Sequence, residues 1–284
     1  MKIAVVSGKG GTGKTTVSAA LADLCDGPLI LADCDVDAAN FALVFPAKDI
    51  KTIPHSGRDI ASVDVDLCLG CGDCEEVCRF SAIHVKEWTA EVDLLGCEGC
   101  ATCTLICPVD ALKLIKITSG EIFMGTTEKG PLVWARLLPG SGNSGRMVHE
   151  VKRRALTTEL KAPAIIDGPP GIGCPLIATV GGMDAILMVT EPGISAVHDL
   201  KRLVQVCKGM HLRMFTVINR FDLSPELEQE IEVFCKAEGI PIVGKIPFDK
   251  SVVTAVSACM PVTRIECPAT DALRLMKDTL FSQL

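Results

Sequence analysis

Residues 2–6, KIAVV, carry an almost unbroken apolar run, the pattern of a short strand buried on both faces. A glycine-rich polar stretch follows, and then TTVSAALADL, whose apolar positions recur at helical spacing. The same alternation returns later. Apolar runs near 185–190, 213–218 and 242–246 predict strands, and amphipathic segments near 195–209, 224–238 and 270–283 predict helices. Such alternation implies a mostly parallel sheet covered by helices on both faces, with ligands at the C-terminal strand ends. GEIFMGTTEKGPLVWARLLPGSGNSG predicts a hairpin, then a Gly/Ser-rich loop opening a helix at about Gly145. In the final segment, DALRLMKDTLFSQL, Arg274 and Lys277 are balanced by Asp271 and Asp278, so it reads as a packing helix and not a basic membrane anchor.

A different pattern occupies the second quarter of the chain. CLGCGDCEEVC, Cys68 to Cys78, and CEGCATCTLIC, Cys97 to Cys107, share the spacing C-x2-C-x2-C-x3-C at an offset of 29 residues. The flanks repeat too: SAIHV aligns with DALKL, and VDVDL with VDLLG. Each half therefore predicts a strand, a cysteine loop, a helical turn and a strand. Four cysteines within eleven residues, repeated, suit iron–sulfur cubanes better than structural zinc, which usually pairs two separated C-x-x-C hooks. Two zinc sites are the alternative. Over about residues 62–115 the chain resembles the bacterial two-cluster ferredoxins. That resemblance implies two 4Fe-4S clusters with crossed ligation: Cys68, Cys71, Cys74 and Cys107 for the first, Cys97, Cys100, Cys103 and Cys78 for the second. Pro108 follows the second run as the family pattern expects, but Arg79 follows the first, and a positive charge there favours a higher potential.

Between the first strand and first helix, Gly8 to Thr15 reads GKGGTGKT, a G-x-x-x-x-G-K-S/T phosphate loop in the required strand–loop–helix context. Gly8, Lys9, Gly10, Gly11, Thr12, Gly13, Lys14, Thr15 and Thr16 are the expected nucleotide contacts. Backbone N–H groups close around phosphate oxygens at the helix N-terminus, Lys14 reaches the β and γ phosphates, and the Thr15 hydroxyl binds Mg2+. The extra lysine, Lys9, makes KGGTGKT similar to the deviant phosphate loop of the MinD/ParA ATPases. That resemblance implies that Lys9 reaches across an ATP-dependent homodimer to the partner's nucleotide. In LILADCDVDAAN it places Asp33 and Asp35 at acidic switch positions, with Asp35 orienting the attacking water; Asp37 is additional. In PAIIDGPPGIG it places Asp167 near Mg2+, and VTEPGISAVHDLKR matches the stretch after the next strand. FTVINR and GKIPFD resemble the parts that hold adenine, through Asn219 and the backbone around Pro247 and Asp249. Lys9, Lys14, Asp35 and Asp167 are thus the expected catalytic residues.

Bulk properties narrow the reading further. The chain has 284 residues, 48% of them apolar, and a formal net charge of −7. No basic run stands out, so neither nucleic acid nor an acidic membrane surface is an expected partner. No apolar stretch approaches the roughly 20 residues of a bilayer span, and MKIAVV leads straight into the phosphate loop. The expectation is a soluble, cytoplasmic protein without stable membrane insertion. Fifteen cysteines in a reducing compartment point to metal binding over disulfides.

The expected architecture is an α/β P-loop NTPase with a mostly parallel sheet over 1–61 and 116–284, carrying an inserted α+β ferredoxin-like domain at 62–115. Two function classes follow. In the first, ATP binding and hydrolysis drive dimerisation that gates electron transfer, or metallocluster assembly and delivery, to a client protein. In the second, the chain is a positioning ATPase that uses the cluster domain for docking or redox sensing. An Mrp-type cluster carrier would need a late C-x-x-C, whereas Cys259 and Cys267 are separated by seven residues. Cys174, seven residues beyond Asp167, matches in position a cluster-ligating cysteine of the nitrogenase iron protein family; a buried small residue is the plainer reading.

Overall fold

A computed structural model describes residues 1–284. The chain runs β1 (Lys2–Ser7), α1 (Lys14–Leu24), β2 (Ile30–Asp33), α2 (Phe41–Val44), β3 (Lys48–His55), β4 (Arg58–Val63), α3 (Asp73–Glu76), β5 (Ile83–Lys86), β6 (Thr89–Val92), α4 (Thr102–Ile106) and β7 (Leu112–Ile117). It continues through β8 (Gly120–Thr127), β9 (Gly130–Leu137), α5 (Ser144–Leu156), β10 (Ala164–Pro170), α6 (Cys174–Val180), β11 (Ala185–Thr190) and α7 (Ile194–Lys208). The last elements are β12 (Arg213–Asn219), α8 (Pro225–Glu238), β13 (Ile242–Ile246), α9 (Lys250–Ser257) and α10 (Pro268–Ser282). Contacts divide these elements into one unit of residues 1–52, 122–136 and 144–284, and another of residues 53–121 and 137–143.

Nine strands form a sheet in the order β13-β12-β11-β1-β10-β2-β9-β8-β3. β1 is parallel to both β10 and β11, and β2, β9, β12 and β13 extend the parallel ladder. Helices cover both faces, so central strands have no solvent side to alternate with. β11 is buried at every position and β1 at every position after Lys2, which is why both read as continuous apolar runs. The edge strand β3 is instead exposed and charged, with Lys48, Asp49 and Lys51 blunting a free edge.

Local sequence explains the helices. In α10 the buried Leu273, Met276 and Leu280 recur at helical spacing, and the helix packs on β13. The approach is close enough that a Cβ at Gly244 would sit 2.7 Å from the Met276 side chain, so β13 needs glycine there. α10 is a packing helix. α8 begins with Ser224 accepting a hydrogen bond from the Leu227 N–H and with Pro225 in the first turn; it ends at Gly239 with φ +68°. No helix is long and apolar enough to cross a membrane.

The second unit repeats itself. An offset of 29 residues carries β4 onto β6, α3 onto α4 and β5 onto β7. The pairing is crossed: β4 pairs antiparallel with β7, from Arg58 opposite Ile117 to Val63 opposite Leu112, and β5 pairs with β6 through a hairpin. Glu87 and Trp88 turn that hairpin with φ +48° and +66°, the twist a two-residue connection requires. Ile60, Ala61, Ala82, Ile83, Ala90 and Leu112 form the core together with Cys74, Cys97 and Cys103. The unit reaches beyond residues 62–115 because flanking segments bond into it: the Ser119 N–H donates to the His55 carbonyl at 2.8 Å, and the Ser141 hydroxyl to the Ser119 carbonyl at 2.9 Å.

Candidate functional site

β1 ends at a loop whose Gly11 and Gly13 take φ of +82° and +90°, values that turn the backbone toward the first turn of α1. Lys14, the first residue of α1, is 6% exposed. Its ammonium lies 3.3 Å from Asp167 Oδ1 and 3.7 Å from Asp35 Oδ2. Burial works to lower the Lys14 pKa, but Asp167, Asp35 and Asp33 outweigh it, and the net shift is upward. Asp167, fully buried at the end of β10, also accepts from the Thr15 hydroxyl at 2.7 Å and from the Ser18 hydroxyl at 2.7 Å. Ser18 is one helical turn beyond Lys14, and that spacing is the signal by which the sequence could have offered it. Asp33 stands beside Asp167 in the ladder and accepts from the N–H groups of Asp35, Asn40 and Phe41 at 2.9–3.0 Å. Burial, reinforced by Asp167, pushes its carboxyl up to about 7. Asp35 is raised too, chiefly by burial, while Asp37 is exposed.

The outer contacts differ from a simple reading of the motifs. The Lys9 ammonium turns onto its own chain, 3.2 Å from Glu191 Oε1 and 3.2 Å from the Ser195 hydroxyl. Glu191 is also held by Arg220 at 2.9 Å. Neither Glu191 nor Ser195 stands out in the sequence, although both lie in the VTEPGIS stretch. The Asn219 amide donates to the Thr12 carbonyl at 2.8 Å and leaves no room for a side chain at Gly13, where a Cβ would lie 2.2 Å from Asn219 Nδ2. Gly8 is equally constrained, by Asp199 at 2.6 Å. Asp249 caps α9 by accepting from the Ser251 N–H at 2.8 Å, and that bond holds its carboxyl below the ordinary range. Pro247 is half-buried beside it, and Gly10 is exposed. Thr15 and Thr16 border an apolar cavity of about 150 Å³ with Leu43, Val256 and Met260; Asn219, Pro247 and Asp249 are not part of its lining. The Thr12 hydroxyl is buried without a partner, an orphaned donor inside the loop.

In the second unit the eight cysteines of the repeat line two pockets. One is bordered by Cys68, Cys71, Cys74 and Cys107, the other by Cys97, Cys100, Cys103 and Cys78. Each pocket thus takes three thiols from one run and the last thiol of the other. Four backbone N–H groups donate to sulfur: Ala90 to Cys68 at 3.4 Å, Ala61 to Cys97 at 3.4 Å, Ala82 to Cys78 at 3.3 Å and Ala111 to Cys107 at 3.3 Å. These four alanines are related pairwise by the 29-residue offset, and no side-chain pattern marks their role. Gly70 and Gly99, with φ of +63° and +64°, let the thiol loops pass against the carbonyls of Trp88 and Asp59. No group of three or more His, Cys, Asp or Glu side chains gathers tightly enough to hold one metal ion. Cys174 is exposed at the start of α6, packed against the first turn of α5 at Gly145.

A parallel sheet whose first strand delivers a phosphate loop onto a buried aspartate defines a P-loop nucleotide-binding protein. Residues 3–262 match the CobQ/CobB/MinD/ParA nucleotide binding domain, and the chain belongs to that family of ATPases. It is 40% identical over 222 residues to an uncharacterized protein of Methanocaldococcus jannaschii, covering 78% of each chain. An iron-sulfur cluster carrier protein of Pyrococcus abyssi is 24% identical over 296 residues, covering 100% of this chain and 86% of the relative. Among solved structures, the septum site-determining protein MinD complexed with Mg-ADP from Pyrococcus horikoshii superposes with a TM-score of 0.60 at 21% identity, covering 98% of this chain and 95% of the other. That likeness concerns the fold.

Proposed function

We propose that this ATPase carries two 4Fe-4S clusters, and that nucleotide-driven dimerisation gates the delivery of electrons or of a metallocluster to a client protein. The observation that carries the reading is the three-plus-one division of the eight thiols between two pockets. A single zinc ion draws its thiolates to about 2.3 Å each, whereas a four-iron cluster spreads its four ligands around a larger body. Four thiols bordering each pocket are the all-cysteine donor set that a 4Fe-4S cluster takes. Backbone N–H groups that donate to the sulfurs of Cys68, Cys78, Cys97 and Cys107 fix the orientation of these thiols, as outer-shell hydrogen bonds do for ligands. When bound, the clusters supply one-electron chemistry. The chain's part is to shield the inner thiols, leaving Cys71 and Cys100 at the surface where a client approaches.

On the nucleotide side, Lys14 supplies a fixed positive charge for the β and γ phosphates, Thr15 and Asp167 are positioned for Mg2+, and Asp35 for the attacking water. Phosphate contacts come from the loop, Gly8 to Thr16, with the Thr12 hydroxyl free to donate. For Lys9 to serve a partner's nucleotide it must first leave Glu191 and Ser195, which makes dimerisation an exchange of ion pairs. The ATPase part is the unit of residues 1–52, 122–136 and 144–284, and the cluster part is the unit of residues 53–121 and 137–143, wider than 62–115 at both ends. Free thiols throughout suit the reducing cytoplasm. The competing reading, a positioning ATPase, draws on the likeness to MinD. α10 buries its apolar face in the core.

The reading is tested by purifying the protein anaerobically and measuring metal, acid-labile sulfide and ATP-dependent light scattering. About eight irons per chain and a doubling of mass with ATP are expected. Zinc in place of iron, or four irons after full reconstitution, contradicts the cluster assignment.

A further inference from the structure

The internal repeat allows the two thiol pockets to be compared position by position, and the charges around them do not match. Arg58, at the start of β4, is 5% exposed; it does not line the second pocket but bonds to the backbone of Cys97, which does. Its Nε donates to the Cys97 carbonyl at 3.1 Å, Nη1 to Gly140 at 3.0 Å, and Nη2 to Leu94 at 3.0 Å, to Leu95 at 2.9 Å and again to Cys97. Every one of these bonds ends on a backbone carbonyl, and no carboxylate forms an ion pair with the guanidinium. Ala61, on the same strand, donates its N–H to the Cys97 sulfur.

The 29-residue offset takes Arg58 to Glu87, in the exposed turn of the β5–β6 hairpin. The correspondence is structural as well as numerical, because the neighbouring residues, Asp59 and Trp88, place their carbonyl oxygens against Gly99 and Gly70 in the same way. Another charge points in the same direction. Asp73 borders the first pocket where Thr102 borders the second. Two charges oppose the trend. Glu98 stands at the second pocket where Leu69 stands at the first, and Asp59 is half-buried, on the opposite strand face to Arg58 and across from Lys116. Glu98 is exposed and screened by water, whereas Arg58 is enclosed, where a charge acts at lower effective dielectric.

We infer that Arg58 makes the two cluster sites unequal, raising the reduction potential of the site built on Cys97, Cys100, Cys103 and Cys78 above that of the site built on Cys68, Cys71, Cys74 and Cys107. The inference rests on the cluster reading above. Its consequence is that a single electron taken up by the protein resides at the second site, the one whose loop Arg58 ties to residue Gly140.

The test is a spectroelectrochemical titration of the anaerobically purified full chain, with iron content measured on every sample. The parent should show two one-electron waves, with the electron favouring one site at least tenfold, a gap of about 59 mV or more. Arg58→Met should lower the upper wave alone, and Arg58→Lys, which keeps the charge, should retain most of the gap. Arg58→Gln, which keeps a polar donor at the site but removes the charge, should lower the upper wave as Arg58→Met does. Coincident waves in the fully loaded parent, or a gap that Arg58→Met and Arg58→Gln leave unchanged at full iron, overturn the inference while the cluster reading stands. Failure of the parent to hold iron after reconstitution overturns the cluster reading and the inference with it; where Arg58→Met fails to hold iron, Arg58→Gln decides.

Discussion

The Lys9 ammonium lies 3.2 Å from Glu191 Oε1 of the same chain, and Arg220 holds the other oxygen of that carboxylate at 2.9 Å. Lys9 is therefore occupied before any partner arrives. Glu191→Gln should release it, lower the ATP concentration needed for dimerisation several-fold and leave nucleotide affinity unchanged. Lys9→Ala should retain binding yet lose ATP-dependent dimerisation and hydrolysis. Light scattering with ATP measures both; a Lys9→Ala dimer that forms normally would show the lysine to be a surface charge of no consequence.

Lys14 is the counter-charge of a buried acidic cluster as well as the phosphate contact of the proposed function. Lys14→Ala should abolish nucleotide binding and also destabilise the nucleotide-free protein by about 3 kcal/mol, because Asp167 and Asp35 lose their cation. Calorimetric titration with ATP and urea unfolding check the two effects. Loss of binding with unaltered stability would mean that the carboxylates simply take up protons.

Asp33 sets a pH dependence. Its buried carboxyl titrates at about 7, above the value of about 3.9 for an unfolded aspartate, so the fold binds a proton that the unfolded chain releases. The stability this provides is complete below the unfolded value and is lost as pH rises through about 7. The melting temperature of the nucleotide-free protein should fall from about pH 4 to about pH 7 and level off above that, and Asp33→Asn should flatten that slope. Equal slopes in the two proteins would remove Asp33 as the cause.

Cys174 opens α6, directly after the loop that follows Asp167. A segment that follows a Mg2+-side aspartate shifts when the γ-phosphate is lost, so alkylation of Cys174 should be fast without nucleotide and at least fivefold slower with a nonhydrolysable ATP analogue. Mass spectrometry of the Cys174 peptide reads the rate. Cys174 is exposed and not the buried small residue of the plainer sequence reading, and equal rates would leave it a surface thiol that does not sense nucleotide.

Much of this architecture was legible in the sequence. The strands β1 and β11 announce themselves because burial on both faces demands continuous apolar runs, and the phosphate loop because glycine readily takes the φ of positions 11 and 13. The thiol spacing pointed to the pockets for a similar reason: four ligands in a short loop leave little freedom. What stayed hidden depends on contacts distant in sequence. Arg58 meets Cys97 and Gly140 only after β4 pairs with β7. Lys9 meets Glu191 only after β11 lies beside β1. The alanine amides that serve the sulfurs carry no side-chain signature, since any residue but proline has an N–H. Asn219 was expected at adenine on motif grounds, and its amide is engaged by the Thr12 carbonyl, a backbone contact no spacing rule anticipates.

If nucleotide state controls the cluster unit, the control should be visible in a single electron-transfer rate. Protein loaded with about eight irons per chain is reduced anaerobically, and its reoxidation by a soluble viologen dye is followed with ADP and with a nonhydrolysable ATP analogue. Coupling predicts rates that differ at least fivefold between the two nucleotides, with the difference abolished in Lys9→Ala. Identical rates in both states, in protein that binds both nucleotides and dimerises, would contradict it.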